Sequence, residues 1–354
     1  MSKVIVNGGV GFIGHHICLN FRMMGFEVYA IDNMKQLRFH EETKYYQKFI
    51  EERLSLLNQA DINIIEMDMS NSEKYNSLIN EIKPDLVYHM SAIASAAICR
   101  NNPQKAFTEN MVNVERVLES VRRLDQGTRF VFASSSVAYG NFESEAVTED
   151  STLSPINIYG LLKKQCEELV RLYSKNYNFP HTIIRPSALY GPRCVNRRVS
   201  QLIIENALES KPVLLFGNGS EKLDFTFVDD TVQGFVKAGL EDGGINETFN
   251  ITFGSSRPVK DLVKILTGYF PNLIIENRER DNTMPERGTL IVDKATLPTG
   301  DYKLMLSWPT SSLDGTPLDY EDSILKEEIS FKLTRTGCNV TAGSYINGSM
   351  GSCI

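Results

Sequence analysis

The sequence predicts a doubly wound α/β fold, a parallel sheet with helices on both faces and a smaller lobe interleaved with its C-terminal half. Three observations carry the prediction. A glycine-rich turn joins the first apolar run to an apolar helical stretch in VIVNGGVGFIG (4–14). Short runs rich in β-branched and aromatic residues then recur at intervals long enough for a helix between each pair. Beyond Pro186 the alternation gives way to Gly and Pro punctuation at YGPR (190–193), KPVLLFGNGS (211–220) and FGSSRP (253–258).

Taken in order, the strand signals are VIVNG (4–8), EVYAID (27–32), INIIEMD (62–68), DLVYHM (85–90), RFVFAS (129–134) and HTIIRP (181–186). Strand, helix, strand repeated in this way means parallel pairing through right-handed crossovers. YYQKFIEERLSLL, inside the long connection from Asn33 to Ala60, reads as helix. Asn102-Pro103 opens a helical segment to Arg123, with Met111, Val114, Val117, Leu118 and Val121 at mixed three and four spacing. Ser154-Pro155 precedes a second that reaches about Lys175.

Composition bounds what the chain can do. With 354 residues, 42% of them hydrophobic, it can bury a large core. A net charge of −7 and a pI near 5.4 leave no electrostatic footprint for nucleic acid or an anionic membrane, so small molecules are the expected partners. Cys18, Cys99, Cys166, Cys194, Cys338 and Cys353 lie far apart with no CxxC pair. That spacing indicates neither a zinc site nor a disulfide framework, and it suits the cytoplasm. No basic-then-apolar leader precedes Val4 and no apolar run approaches a membrane span.

Gly8, Gly11 and Gly14 form a GxxGxxG turn between strand and helix. Such a turn lets a pyrophosphate approach backbone amides at a helix N-terminus. Asp32, at the end of the next strand, stands where an acid binds the adenosine ribose hydroxyls, and a carboxylate there favours NAD over NADP. Asp68, read as the end of the third strand, is a candidate for adenine and equally for a solvated strand end. Tyr159 and Lys163 share one face of a predicted helix. An ammonium beside a phenol favours the phenolate, which makes Tyr159 a candidate base. Ser134, Ser135 and Ser136 follow a sheet strand, at the edge where open α/β sheets bind ligands.

Together VNGGVGFIG, VYAIDN, KPDLVYHMSAIAS, SSSVAYGN, YGLLKK, RPSALYGPR and DFTFVDD resemble the extended short-chain dehydrogenase/reductases, in the branch of NAD-dependent nucleotide-sugar epimerases and dehydratases. The resemblance runs over roughly residues 3 to 294. It implies a Rossmann-type NAD-binding domain over 1–185, with a returning segment near 224–252, and a substrate-binding lobe over 186–330. Residues 331–354, rich in turn formers and poor in charge, are expected to be a disordered tail. The resemblance further implies a homodimer built on the helices near 103–123 and 155–175, whose apolar residues exceed what one sheet face would cover.

Carried onto this sequence, the resemblance places Gly8, Gly11, Phe12, Ile13, Gly14, Asp32, Asn33, Asp68, Met69 and Ser91 around NAD. Tyr159 becomes the base, Lys163 its partner and a nicotinamide-ribose ligand, and Ser135 the hydroxyl that orients the substrate. The shared first step is oxidation of a sugar hydroxyl, usually at C4. Dehydratases of the family follow it with an Asp-Glu pair, of which the decarboxylases also keep the Glu; here these positions are Ser136 and Val137, and valine moves no proton. A nucleotide-sugar 4-epimerase therefore leads. A 4-oxidase or ketoreductase, a 4,6-dehydratase using other residues, and a non-catalytic dinucleotide sensor are the alternatives.

Several positions depart from the family. Asn7 replaces a Thr and His15 a Ser in the first motif, Ala188 an Asn, and Leu223 an Arg. The last two ordinarily hold the nucleotide diphosphate. Arg193, Arg197, Arg198 and Arg278 are the candidates to replace that grip, with Arg278 preferred because it matches a family phosphate ligand and Arg198 second. No metal site is indicated.

Overall fold

Seven strands lie side by side, all parallel, in the order β7-β6-β5-β4-β1-β2-β3. They are β1 (Lys3–Asn7), β2 (Glu27–Asp32), β3 (Asn63–Glu66), β4 (Leu86–His89), β5 (Arg129–Ala133), β6 (His181–Pro186) and β7 (Glu247–Ile251). The computed structural model describes residues 1–35, 44–124, 126–196, 198–280 and 286–291, with the backbone of two further strands at 301–304 and 329–332. Of the expected tail 331–354, residues 331 and 332 instead end a strand paired antiparallel with 301–304, while the rest of it, from 333 onward, and Arg197 lie outside the described residues.

Alternation along each strand feeds two cores. Val4 and Val6 face one layer with α1 (Phe12–Met23), α2 (Lys44–Gln59) and α7 (Val228–Leu240). Ile5, between them, faces the other with α3 (Ser72–Ile82), α4 (Asn113–Leu124) and α5 (Ile158–Tyr177). Strands buried on both faces must be apolar throughout, which is why β1, β4 and β5 read as unbroken runs. Two short helices, α6 (Val199–Leu208) and α8 (Val259–Tyr269), close a third core with the parallel pair Val213–Phe216 and Ile275–Arg278. The chain visits that region, returns through α7 and β7 to the main sheet, and leaves again.

Three boundaries differ from the sequence reading. β3 stops at Glu66, because Met67 N still reaches the Asp32 carbonyl at 2.9 Å and Asp68 then turns the chain by accepting Ser70 N at 2.9 Å. Asp68 and Met69 therefore sit in a loop beyond the strand. α5 starts at Ile158 rather than after Pro155, since Asn157 is the cap and its side chain accepts Gly160 N at 2.9 Å. The segment from Pro103 is interrupted by a π turn at Thr108–Val112. That turn sends the buried Asn110 amide to the Ile93 backbone, bonding its N–H at 2.6 Å and its carbonyl at 3.1 Å. Among the described residues no helix is long and apolar enough to cross a membrane.

Candidate active site

The glycine turn leaves no space for side chains. Gly8 has φ +78°, and a Cβ on it would fall 2.9 Å from Ser91 N; a Cβ on Gly14 would fall 2.1 Å from the Gly8 carbonyl oxygen. Gly11 precedes α1 without a side-chain cap, so the first helical amides are open to an anion. Asp32 accepts Val10 N at 3.2 Å and Met34 N at 3.0 Å, which holds its carboxylate against the turn. Burial raises its pKa, with those amides and the Arg53 charge opposing. Phe12 and Met69 both turn their side chains into the cores, so they offer backbone only. Asn33 Oδ1 accepts Lys35 N at 3.1 Å. Asp68 is ion-paired with Lys35; its slight burial would raise its pKa, but Lys35 and Ser70 bring it down to about 2. A pyrophosphate at Gly8–Gly14 with its ribose on Asp32 fits this cradle.

His15, the departure from Ser, is buried and fully used. Its Nδ1 donates to the Gly11 carbonyl at 2.8 Å, and its Nε2 accepts Arg193 Nε at 3.0 Å. Arg193 is thereby spent on α1 and on Glu52.

Tyr159 and Lys163 are both 4% exposed, one turn apart on α5. Lys163 Nζ donates to the Ala133 carbonyl at 2.5 Å and lies 4.7 Å from the Phe132 ring centroid and 5.9 Å from that of Tyr159. This bond puts the pair at the C-terminal tip of β5, where the serine run begins. The three serines divide the work. Ser134 Oγ donates to Glu167 at 2.5 Å, Ser135 Oγ accepts Val137 N at 3.3 Å, and Ser136 Oγ accepts Arg287 Nη1 at 2.7 Å. Ser135 keeps its hydroxyl hydrogen free of any partner among the described residues. Val137 packs with Tyr159, Leu162 and Cys99.

Sequence reasoning missed Arg287. Burial pushes its guanidinium down to about 10, and the Arg198 charge adds to this while Glu221 and Tyr159 oppose. Half-buried, it places a cation beside both the serine run and Tyr159. Arg198 Nη2 holds the Ala94 carbonyl at 2.9 Å. Arg278, the preferred phosphate ligand on sequence, is exposed and paired with Glu276 at 2.8 Å on an outer strand. Among the described residues of the C-terminal segment, Arg287 rather than Arg278 is the guanidinium that reaches the serine run. Leu223, in place of an Arg, packs on the core of the second lobe. Among the described residues no three His, Cys, Asp or Glu side chains are grouped to hold a metal ion.

A dinucleotide cradle on β1 and α1, with a buried Tyr and Lys above the tip of β5, defines an extended short-chain dehydrogenase/reductase. The chain belongs to the NAD dependent epimerase/dehydratase family, which matches residues 4–252. Among relatives, it is 29% identical over 268 residues to an uncharacterized UDP-glucose epimerase, YtcB, of Bacillus subtilis, covering 75% of this chain and 81% of that one. It is 27% identical over 327 residues to UDP-glucuronate 4-epimerase 4 of Arabidopsis thaliana, covering 88% and 72%. A Bacillus cereus UDP-glucuronic acid 4-epimerase, solved with UDP-glucuronic acid and NAD, superposes with TM-score 0.74 at 27% identity, covering 82% of this chain and 91% of that one.

Proposed function

We propose that the protein is an NAD-dependent nucleotide-sugar 4-epimerase, with UDP-hexoses and UDP-hexuronic acids as the first substrates to assay. The observation that carries the reading is the enclosed pair Tyr159 and Lys163 beside Ser135, with no acid at 136 or 137. NAD, when bound, supplies the hydride acceptor and donor. Gly8, Gly11 and Gly14 take its pyrophosphate, Asp32 its adenosine ribose, and Lys163 its nicotinamide ribose. Tyr159 removes the proton of the C4 hydroxyl and returns it after the keto sugar has turned over. Ser135 donates its free hydrogen to the C4 oxygen. Arg287 and Arg198 take the diphosphate in place of Ala188 and Leu223; two guanidinium groups that repel one another are relieved by a dianion.

Epimerisation needs no further acid or base. Ser136 is engaged by Arg287 and Val137 lies in an apolar cluster, so neither position serves C5 or C6. In this reading residues 1–185 and 224–252 hold the cofactor and the remainder of 186–330 covers the sugar nucleotide. The enzyme works as a homodimer in the cytoplasm, a location that the buried free thiols of Cys18, Cys99, Cys166 and Cys194 support.

Isotope tracing tests the reading. UDP-glucose or UDP-glucuronate deuterated at C4 is converted with the label kept in the epimer and no NADH released. Exchange of label with added cofactor would make the protein a net oxidoreductase. A 4-keto-6-deoxy product carrying solvent deuterium at C5 would make it a dehydratase.

A further inference from the structure

Below Tyr159 and Lys163 on the same stripe of α5 stands a third ionisable side chain, Glu167, at the next four-residue step. It is 0% exposed. A carboxylate taken fully out of water is costly unless it is paired and its oxygens are filled. Here they are. Arg185, on β6, forks onto it, Nε to Oε1 at 2.8 Å and Nη2 to Oε2 at 2.7 Å. Arg171 adds a bond to Oε2 at 2.9 Å and Ser134 one to Oε1 at 2.5 Å. Burial would raise its pKa, and the Arg185 bonds more than reverse this, so the group stays ionised.

The carboxylate joins three elements that no other side chain described at the site joins: α5, β6 and the tip of β5. Arg185 extends the network through Nη1 to the Tyr139 hydroxyl at 2.7 Å and the Glu149 carbonyl at 2.8 Å, and Tyr139 donates to Asn250 on β7 at 2.9 Å. At the tip of β5, consecutive residues are tied to successive turns of α5, Ala133 to Lys163 and Ser134 to Glu167. The next residue along is Ser135. Two fixed points on one helix stripe define both its axial position and its rotation.

We infer that Glu167 is a positioning residue: bound by Arg185 and Ser134, it sets the register of α5 against the β5 tip so that Tyr159 and Ser135 converge on one substrate hydroxyl. The inference rests on the reading of Tyr159 as the base. Because an error of about 1 Å in the placement of reacting groups can cost about a hundredfold in rate, the tie acts on turnover rather than on substrate affinity.

Ser134→Ala removes the tie to the serine strand while leaving the Arg185 fork intact; Glu167→Gln keeps the shape and removes the charge, and Glu167→Asp retracts it. Each full-length variant is assayed with its nucleotide sugar well below its thermal midpoint, beside Tyr159→Phe. Ser134→Ala is expected to lose about tenfold in kcat with KM unchanged, Glu167→Gln more, and Glu167→Asp to recover part of the Gln loss. Variants that fold and keep wild-type kcat, with only the thermal midpoint lowered, overturn the proposal. If Glu167→Gln does not fold, Ser134→Ala decides alone. An active Tyr159→Phe defeats the base reading and the inference together; an inactive Tyr159→Phe beside fully active Ser134→Ala and Glu167→Gln defeats the inference only.

Discussion

Tyr159 and Arg287 show what a sequence reveals and what it hides. Tyr159 and Lys163 were legible because the helix itself makes them neighbours, and Gly8, Gly14 and Asp32 because strand, turn and strand end follow one another within a single βαβ unit. Arg287 meets Ser136 across 151 residues, and nothing local marks it; Arg278 matched a pattern and turned outward. Replacing the Tyr159 hydroxyl in Tyr159→Phe is expected to abolish epimer formation in a steady-state assay with the fold retained. Arg287→Met is expected to raise KM for the nucleotide sugar at least tenfold, since a charge-assisted hydrogen bond contributes about 1.5–3 kcal/mol, whereas Arg278→Ala leaves KM unchanged. Asp32→Ala is expected to weaken NAD binding in calorimetry without lowering the unfolding midpoint, and tighter binding of NADP than NAD by the unaltered protein would remove Asp32 from its role.

At the scale of elements, the six strands read from the sequence all pair in the sheet, because alternating contributions to two cores leave a continuous apolar run. Their ends were less legible. The π turn at Thr108–Val112 and the stop at Glu66 are set by side-chain bonds to distant or following backbone, which periodicity does not carry. β7 carries no strand signal of its own because its sequence, ETFNI, mixes polar residues that a neighbouring network fills: Asn250 accepts from the Tyr139 hydroxyl, and its backbone N–H donates to the Glu149 carboxylate. The first turn of α7 carries a testable cost. Asp229 pairs with His16 at 3.0 Å, while burial, with the Asp229 charge added, pushes Asp230 up from 3.8 to about 7. Between those values the folded protein holds a proton that the unfolded chain has released, so stability falls as pH rises through the window. Asp230→Asn is therefore expected to flatten that decline and to raise the urea midpoint at pH 8 more than at pH 4. Asp224, pushed up to about 6 by burial, adds a slope of the same sign that the variant keeps. An equal shift at both pH values would show that Asp230 is ionised throughout.

For the whole molecule, the proposed dimer has a surface to use. Ile98, Phe107, Leu161 and Leu172 are 50%, 50%, 44% and 55% exposed on the short helices before the π turn and on α5. Large apolar side chains gathered on adjoining helices mark an interaction surface. Leu172→Glu is expected to shift the mass measured by light scattering from dimer to monomer; a wild-type protein already monomeric at micromolar concentration refutes the assembly. The order of strands across the sheet has a consequence in time as well. β6 is made at 181–186, but its outer neighbour β7 ends only at residue 251, after some sixty residues of intervening chain have been built. A growing chain thus emerges from the ribosome with β6 as an open edge, the kind of template that captures other strands. Protection comes late, when β7 arrives. Nascent chains halted between 187 and 246 are the ones that will need a chaperone.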